Sequence, residues 1–457
     1  MRQRANTPAR RITAAEAASL VRSGMWIDLA GGLGQPDTFD AALAERVAEL
    51  TDVKFRTCLS LRPLAHVEAD PSGRVFRTFS WHFGGYERAK HAERLCGYTP
   101  LNLGEVPDYY RRFIDPVDIA VIRARPMDAD GVFNFSLSNL WFRAVIERAR
   151  LVIVEEVPGY PHVHGLENGV HIDEVDYIIE GDRDPPGELP HPPPSEIDKA
   201  VARLIAAEVE DGACLQIGIG GMPNAVCALL KDAGVRDLGV HTEMLTDGLV
   251  ELYRSGCVTG VRKTTDQGKV TFTFGMGSKS LFEAVDGNPD FLCCPVDHTN
   301  LPQNIMRNDK VVSINSTTHI DLQGQAVSES DGHRHLTGTG GQLQFVRGAY
   351  ASEGGKSFIC LPSTFERKGV RKSRIVLDLT PGDIVTTPRS DVMYVVTEYG
   401  AANLKGRTVE ERAQALIGLA HPDFRDDLAR QARAHGLICC AWSPGFNEEG
   451  QQISAGL

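Results

Sequence analysis

No apolar stretch in the chain approaches the roughly 20 residues that a helix needs to cross a bilayer. Positive charge is in deficit. The 48 Lys and Arg stand against 60 Asp and Glu, a formal net charge of −12. That balance argues against a general affinity for nucleic acid or an anionic membrane, although a local pocket can be positive within an acidic surface. The ten cysteines form no C-x-x-C pair and no dense pattern, even at Cys293-Cys294 and Cys439-Cys440. They read as buried thiols in a reducing compartment. Met1-Arg2-Gln3-Arg4 is basic but lacks the apolar core of a signal peptide, and Thr13-Ala14-Ala15-Glu16 has the form of a capping box. The expectation is a cytoplasmic protein.

Several catalytic signatures are also missing. There is no G-x-S-x-G elbow. Gly354-Gly355-Lys356-Ser357 ends like a phosphate-binding loop, but Tyr350 stands where its first glycine is required. His241, His333 and His335 lack the spacing of a zinc site and are expected in polar loops; no metal is expected.

What is present is an alternation of helical and strand-like segments. A helix is expected over residues 14–22, a strand over 25–29, a glycine loop over 31–36 and a helix over 38–50. Further strands are expected at 53–55, 119–122 and 151–154. The order strand, helix, strand implies parallel pairing with right-handed crossovers. At 457 residues the chain is too long for one core. Prolines crowd residues 183–195, which therefore read as an extended connector. Ser195 then caps a helix to residue 208, with Ile197, Val201, Leu204 and Ile205 on one face.

After the connector the opening theme returns. Gly24, a strand, Gly32-Leu33-Gly34, Pro36 and a helix correspond to Gly212, a strand, Gly218-Ile219-Gly220, Pro223 and a helix. The expected organisation is two similar open α/β domains, at 1–182 and 196–436, joined by the 183–195 linker, with a polar tail at 437–457. Strands are expected at 271–277, 311–315, 357–361, 374–377 and 392–400, and closing helices at 409–419 and 424–434.

One carboxylate stands out. Asp237-Leu238-Gly239-Val240-His241-Thr242-Glu243 is a short apolar run, and Thr246-Asp247-Gly248 supplies turn and helix-start chemistry. Glu243 is thereby placed at the carboxyl end of a strand, where open α/β sheets put their ligands. The first copy has Cys58-Leu59-Ser60 in the corresponding segment, so the chemistry is expected in the second half.

The loop at 218–223, the Glu243 segment and Gly338-Thr339-Gly340-Gly341-Gln342, in that order, resemble the acetyl-CoA hydrolase/transferase family. Within the class I CoA-transferases the resemblance is to 4-hydroxybutyrate or butyrate:acetate CoA-transferases. It covers nearly the whole chain and is strongest over residues 211–424.

The resemblance implies an active site between the two domains and a homo-oligomer. It also implies a donor acyl-CoA of short or medium chain, an acetate-like acceptor acid, and no cofactor beyond coenzyme A as substrate. Glu243 would attack the thioester, pass through a mixed anhydride and carry CoA as a glutamyl thioester. Backbone N–H groups of Gly218, Ile219, Gly220, Gly221 and Met222, and of Gly338, Gly340 and Gly341, would meet the oxyanion or CoA. One such donor can be worth roughly a hundred- to a thousandfold in rate.

The resemblance further brings Asn315 near the CoA thioester and puts Arg371, at the family's usual lysine position, on the CoA nucleotide. It brings Thr397-Glu398-Tyr399-Gly400 close to the site, with Glu398 as a structural hydrogen-bond partner. The chain departs from the family pattern at Gln344, where Asp is usual, and at Glu156, where Asn is common.

Three other readings remain at this stage. An acyl-CoA hydrolase would let water resolve the glutamyl thioester. A CoA- or nucleotide-binding regulatory protein would bind without chemistry. A dinucleotide-binding protein would use Gly218 and Gly220 for the pyrophosphate and Glu243 for a ribose. Against the last, Pro223 occupies the third glycine position, the helix is expected to start late, and the 338–342 motif is left unexplained.

Overall fold

Runs of β-branched and aromatic residues with no polar alternation make strands covered on both faces, as parallel sheets require. All six residues of Ile119–Ala124 are buried, as are the four of Cys214–Ile217. The computed structural model describes residues 8–182, 187–189 and 193–439. These build an α/β protein around two eight-stranded sheets.

In the first sheet the strands lie side by side in the order Arg10–Arg11, Tyr177–Glu180, Leu151–Glu156, Ile119–Ala124, Trp26–Leu29, Val53–Thr57, Phe76–Ser80, Cys96–Tyr98. Every pair in it is parallel. The second sheet runs Phe291–Cys293, Val270–Phe272, Gly239–His241, Cys214–Ile217, Val311–Ser316, Lys356–Cys360, Tyr394–Thr397, Gly400–Asn403. It is parallel except for its last, antiparallel pair.

The two sheets repeat one plan. In each, a central strand (Trp26–Leu29 or Cys214–Ile217) has the next strand of the chain on one side and a much later one on the other. Such a reversal opens a crevice outside the carboxyl ends of the strands, where α/β sheets bind ligands.

The halves are joined by more than the chain. Gly275 donates its N–H to the Leu137 carbonyl, Asn139 to that of Thr273 and Cys293 to that of His164. One buried apolar cluster runs from Val154 and Phe133 of the first half to Leu215 and Phe272 of the second. A second cluster packs Ile320, Ile359 and Val395 against the closing helices Val409–Leu419 and Pro422–Ala434.

Local signals explain most helix boundaries. Thr13 with Glu16, Ser195 with Asp198 and Thr408 with Glu411 each form a reciprocal capping box. The first helix is shorter than expected, Ala14–Ser19, and the last begins earlier, with Pro422 inside its first turn. On the helix Glu196–Ala206, Val201 and Ile205 are buried while Ile197 is exposed, because the apolar stripe leaves the core at the first turn.

Two short pairings were not expected from sequence. Met244–Leu245 pairs with Phe274–Gly275, and Tyr394–Thr397 turns back on Gly400–Asn403. Of the proline-rich connector, residues 183–186 and 190–192 lie outside the described residues, as do the basic start and residues 440–457 of the expected tail. No helix among the described residues is long and apolar enough to cross a membrane.

Candidate active site

The strand Gly239–His241 ends two residues before Glu243, whose carbonyl accepts N–H groups from Thr273 at 3.0 Å and Phe274 at 3.3 Å. The chain then pairs again through Met244–Leu245 and enters the helix Asp247–Arg254, with Thr246 at its N-cap. Glu243 is thus clamped on both sides, and its half-buried side chain faces inward.

Asn300, fully buried at the end of the helix Val296–Asn300, donates Nδ2–H to Glu243 Oε2 at 2.6 Å. The Gly341 backbone lies against the same carboxylate, and its N–H helps to lower the carboxyl pKa. Removal from water pushes the Glu243 carboxyl up from an ordinary value of 4.5 to about 7, against the pull of these two donors. The ionised form therefore costs the folded protein stability above pH 7. That cost disappears as pH falls through 7 toward 4.5, because a raised carboxyl pKa takes up its proton earlier in the folded state. Glu243→Gln is expected to raise the thermal midpoint at pH 8, with the gain shrinking to nothing near pH 5. A melting series across that range checks it.

The motif at 338–342 forms the other wall. Gly340 sits in the left-handed region at φ +57°, and its carbonyl accepts the Leu103 N–H at 3.1 Å from the first half. Gly341 follows at the N-cap of the helix Gln342–Ala351. A Cβ placed on Gly341 would collide with Glu243 Oε2 and Asn300 Nδ2, so this close approach requires a bare backbone.

Beneath this turn lies His82. Its ring comes within 2.9 Å of where a Gly338 Cβ would stand, and its Nε2 is 2.7 Å from Thr337 Oγ1. Burial lowers the His82 pKa to about 4, so the ring is neutral at physiological pH. From the first copy, Cys58 is buried close enough that the Glu243 charge helps raise its thiol pKa; burial is the largest cause and Glu87 the next. The counterpart segment of the first sheet therefore faces the carboxylate of the second.

The glycine loop and Asn315 occupy the adjacent strand ends. Gly218 donates its N–H to the Ile314 carbonyl at 3.4 Å, and Asn315 Nδ2 donates to Gln216 Oε1 at 3.1 Å. Ile219 is exposed at the loop tip, Gly220 has φ +123°, and Met222 is buried. The helix begins at Gly221 rather than late, with Pro223 already inside its first turn. Neighbouring strands are about 4.8 Å apart. The loop, Asn315 and Glu243 thus share one carboxyl edge, although among the described residues no hydrogen bond joins the loop to Glu243.

Arg371 lies elsewhere. It projects from the exposed hairpin Thr364–Arg367/Val370–Ser373 and pairs with Asp423 at 3.1 Å, with His421 beside it. The same hairpin borders a cavity of about 460 Å³ in which Arg374 lies over the Phe365 ring and donates to the Thr318 carbonyl at 2.7 Å.

Glu398 accepts hydrogen bonds from both N–H and Oγ of Ser363. Gln344 is buried and accepts the Gly104 N–H at 2.8 Å. Glu156 pairs with Arg11. His241 is not a loop residue. It is buried in its strand with Nε2 2.8 Å from the Thr299 carbonyl, and burial lowers its pKa to about 3. His335 is likewise drawn in, half-buried against Phe83 and Tyr98, while His333 is exposed. Asn300 and His82 escaped sequence reasoning, since neither sits in a motif or beside Glu243 in the chain. Among the described residues no group of three or more His, Cys, Asp or Glu is arranged to hold a metal ion.

Two family models match this chain: the acetyl-CoA hydrolase/transferase N-terminal domain over residues 1–187 and the C-terminal domain of the same family over 277–432. The chain belongs to the acetyl-CoA hydrolase/transferase family. Among relatives of this family, the butyryl-CoA:acetate CoA-transferase of Anaerostipes caccae is 44% identical over 92% of this chain and 95% of its own. The 4-hydroxybutyrate coenzyme A transferase of Clostridium kluyveri is 38% identical over 92% and 96%. The crystal structure of RipA from Yersinia pestis superposes with a TM-score of 0.85 at 38% identity, covering 94% of this chain and 98% of that one. With the family goes its fold, two α/β halves each centred on a large sheet.

Proposed function

We propose that this protein is an acyl-CoA:carboxylate CoA-transferase that uses Glu243 as its nucleophile, with a short- or medium-chain acyl-CoA as donor and an acetate-like acid as acceptor. The observation that carries this reading is a carboxylate at a strand end that accepts a hydrogen bond from Asn300 Nδ2 and lies against the bare Gly341 backbone. The activities of these relatives support the substrate class.

The ionised Glu243 adds to the thioester carbonyl. Collapse of the adduct breaks the C–S bond, releasing CoA thiolate and leaving an acyl-glutamyl anhydride. The thiolate adds to the glutamyl carbonyl, and breaking of the anhydride C–O bond expels the donor acid as its carboxylate. CoA is now a thioester on Glu243, and an acceptor carboxylate reverses the sequence. Once Glu243 is acylated, Asn300 and Gly341 face its carbonyl oxygen and can take up the developing negative charge. The glycine loop over Gly218–Met222 and Asn315 line the approach of the thioester, and the hairpin that carries Arg371 takes the CoA nucleotide.

The reading has residues 1–182 and 196–436 as the two domains, no cofactor, a cytoplasmic setting and an assembly of like chains. These carry over from the resemblance and the segment pattern, and fractionation and sedimentation test the last two.

Steady-state kinetics separate transferase from hydrolase. Parallel double-reciprocal lines are expected for acyl-CoA against acetate, with little free thiol when no acid is added. Rapid thiol release without an acceptor would instead make the protein an acyl-CoA hydrolase. Tight binding of a nicotinamide cofactor with no transfer would revive the dinucleotide reading.

A further inference from the structure

Away from Glu243, at the outer edge of the first sheet, a cavity of about 900 Å³ opens between the strands Phe76–Ser80 and Cys96–Tyr98, the helix Gly85–Ala92 and the hairpin strand Arg334–His335 from the second half. Its walls carry Arg77, Arg88, Arg94 and Arg334, and no Asp or Glu among the described residues. In a chain with net charge −12 this is a concentrated local reversal of sign.

The guanidinium groups are also largely uncommitted. Arg77 reaches Asp52 only at 3.4 Å, and Asp52 is already held by Lys54 at 2.6 Å. Arg88, Arg94 and Arg334 pair with no carboxylate among the described residues. His335 lines the same cavity, and its Nε2 is buried without a hydrogen-bond partner among them. Phe79 on one wall has a half-exposed ring that packs tilted on Trp26 at 5.6 Å, lies against the Gly97 backbone and has the Arg77 guanidinium 5.8 Å from its centroid.

We propose that this cleft binds a phosphate-bearing small anion of nucleotide size at a site separate from acyl-CoA. Planar guanidinium forks match phosphate oxygens in pairs, and an aromatic wall suits a base. Occupancy reaches the candidate active site through a short path. The hairpin strand Arg334–His335 leads directly to Thr337, which bonds His82, and to Gly340 and Gly341 against Glu243. A ligand that draws in Arg334 therefore acts on the turn that holds the carboxylate, a step that rests on the transferase reading, whereas binding itself does not.

Calorimetric titration of the full chain with ADP and with inorganic tripolyphosphate tests the site. Saturable, salt-dependent binding of both is expected, persisting in saturating CoA. Arg88→Ser/Arg94→Ser should weaken it at least tenfold, with an unchanged melting temperature and KM for acyl-CoA. Arg334→Ser, on another element, should weaken it as well. No saturable binding, displacement by CoA, or binding indifferent to all three arginines would overturn the site. Tighter binding of ADP than of tripolyphosphate locates the base on the Phe79 wall, and equal or weaker binding of ADP overturns that placement. In the wild type alone, ADP should change kcat by at least twofold; binding with unchanged kcat would overturn the coupling and leave the site.

Discussion

Incubated with acyl-CoA and no acceptor acid, the protein will carry CoA on Glu243 as a thioester. Borohydride will reduce that thioester to an alcohol, inactivate the enzyme and leave its mass change on the peptide containing His241 to Met244. Glu243→Ala will abolish both the label and the transfer while CoA still binds, because Asn300 and Gly341 hold the carboxylate and the basic hairpin lies elsewhere. Glu243→Asp withdraws the carboxylate by one methylene from both donors, and a misplacement of about 1 Å can cost ~100-fold in rate. A label on Glu398 instead, whose carboxylate is committed to Ser363, would refute the assignment.

A single methyl group should do nearly as much damage. In Gly341→Ala the new Cβ falls on Glu243 Oε2 and Asn300 Nδ2, and both must move. The backbone at Gly341 has φ −98°, comfortable for alanine, so the injury is confined to the carboxylate and its partner. A displacement of about 1 Å predicts a loss of ~100-fold in kcat with little change in melting temperature. The neighbouring Gly340→Ala makes the converse case. Its φ of +57° costs an alanine about 1 kcal/mol of stability, while its Cβ meets His82 at 3.4 Å and reaches Glu243 Oε1 only at 4.0 Å, an ordinary contact. If both variants lost stability and activity in proportion, the close approach at Gly341 would have no special place in turnover.

How far the sequence could be read follows from the range over which each signal acts. Unbroken apolar runs such as those at 119–122 and 151–154 mark strands buried on both faces, and capping boxes at Thr13, Ser195 and Thr408 mark helix starts. Glu243 was legible because its strand and the Thr246 helix start bracket it within a few residues. Its partners were not. Asn300 arrives from a helix 57 residues further on, and His82 from a different sheet, so only the packing of the halves brings them in. Two-residue strands such as Met244–Leu245 have no periodicity to read. His241 was misjudged because the Thr299 carbonyl that satisfies it belongs to a distant helix. The early helix start at Gly221 was hidden by Pro223, which a first helical turn accommodates without losing a hydrogen bond.

Gly104 and Gln344 illustrate a constraint on how this chain can be inherited. The amide of one bonds the side chain of the other across the two halves, and a Cβ on Gly104 would come within 2.9 Å of both Gln344 Nε2 and Asn300 Cβ. The Gln344 side chain is thus matched to a bare backbone 240 positions away. Halves exchanged between homologues would separate lock from key, leaving a buried amide unanswered beside the turn that holds Glu243. The two sheets repeat one plan, yet they are not interchangeable modules. Recombination within this family should succeed only where both sides of that pair travel together.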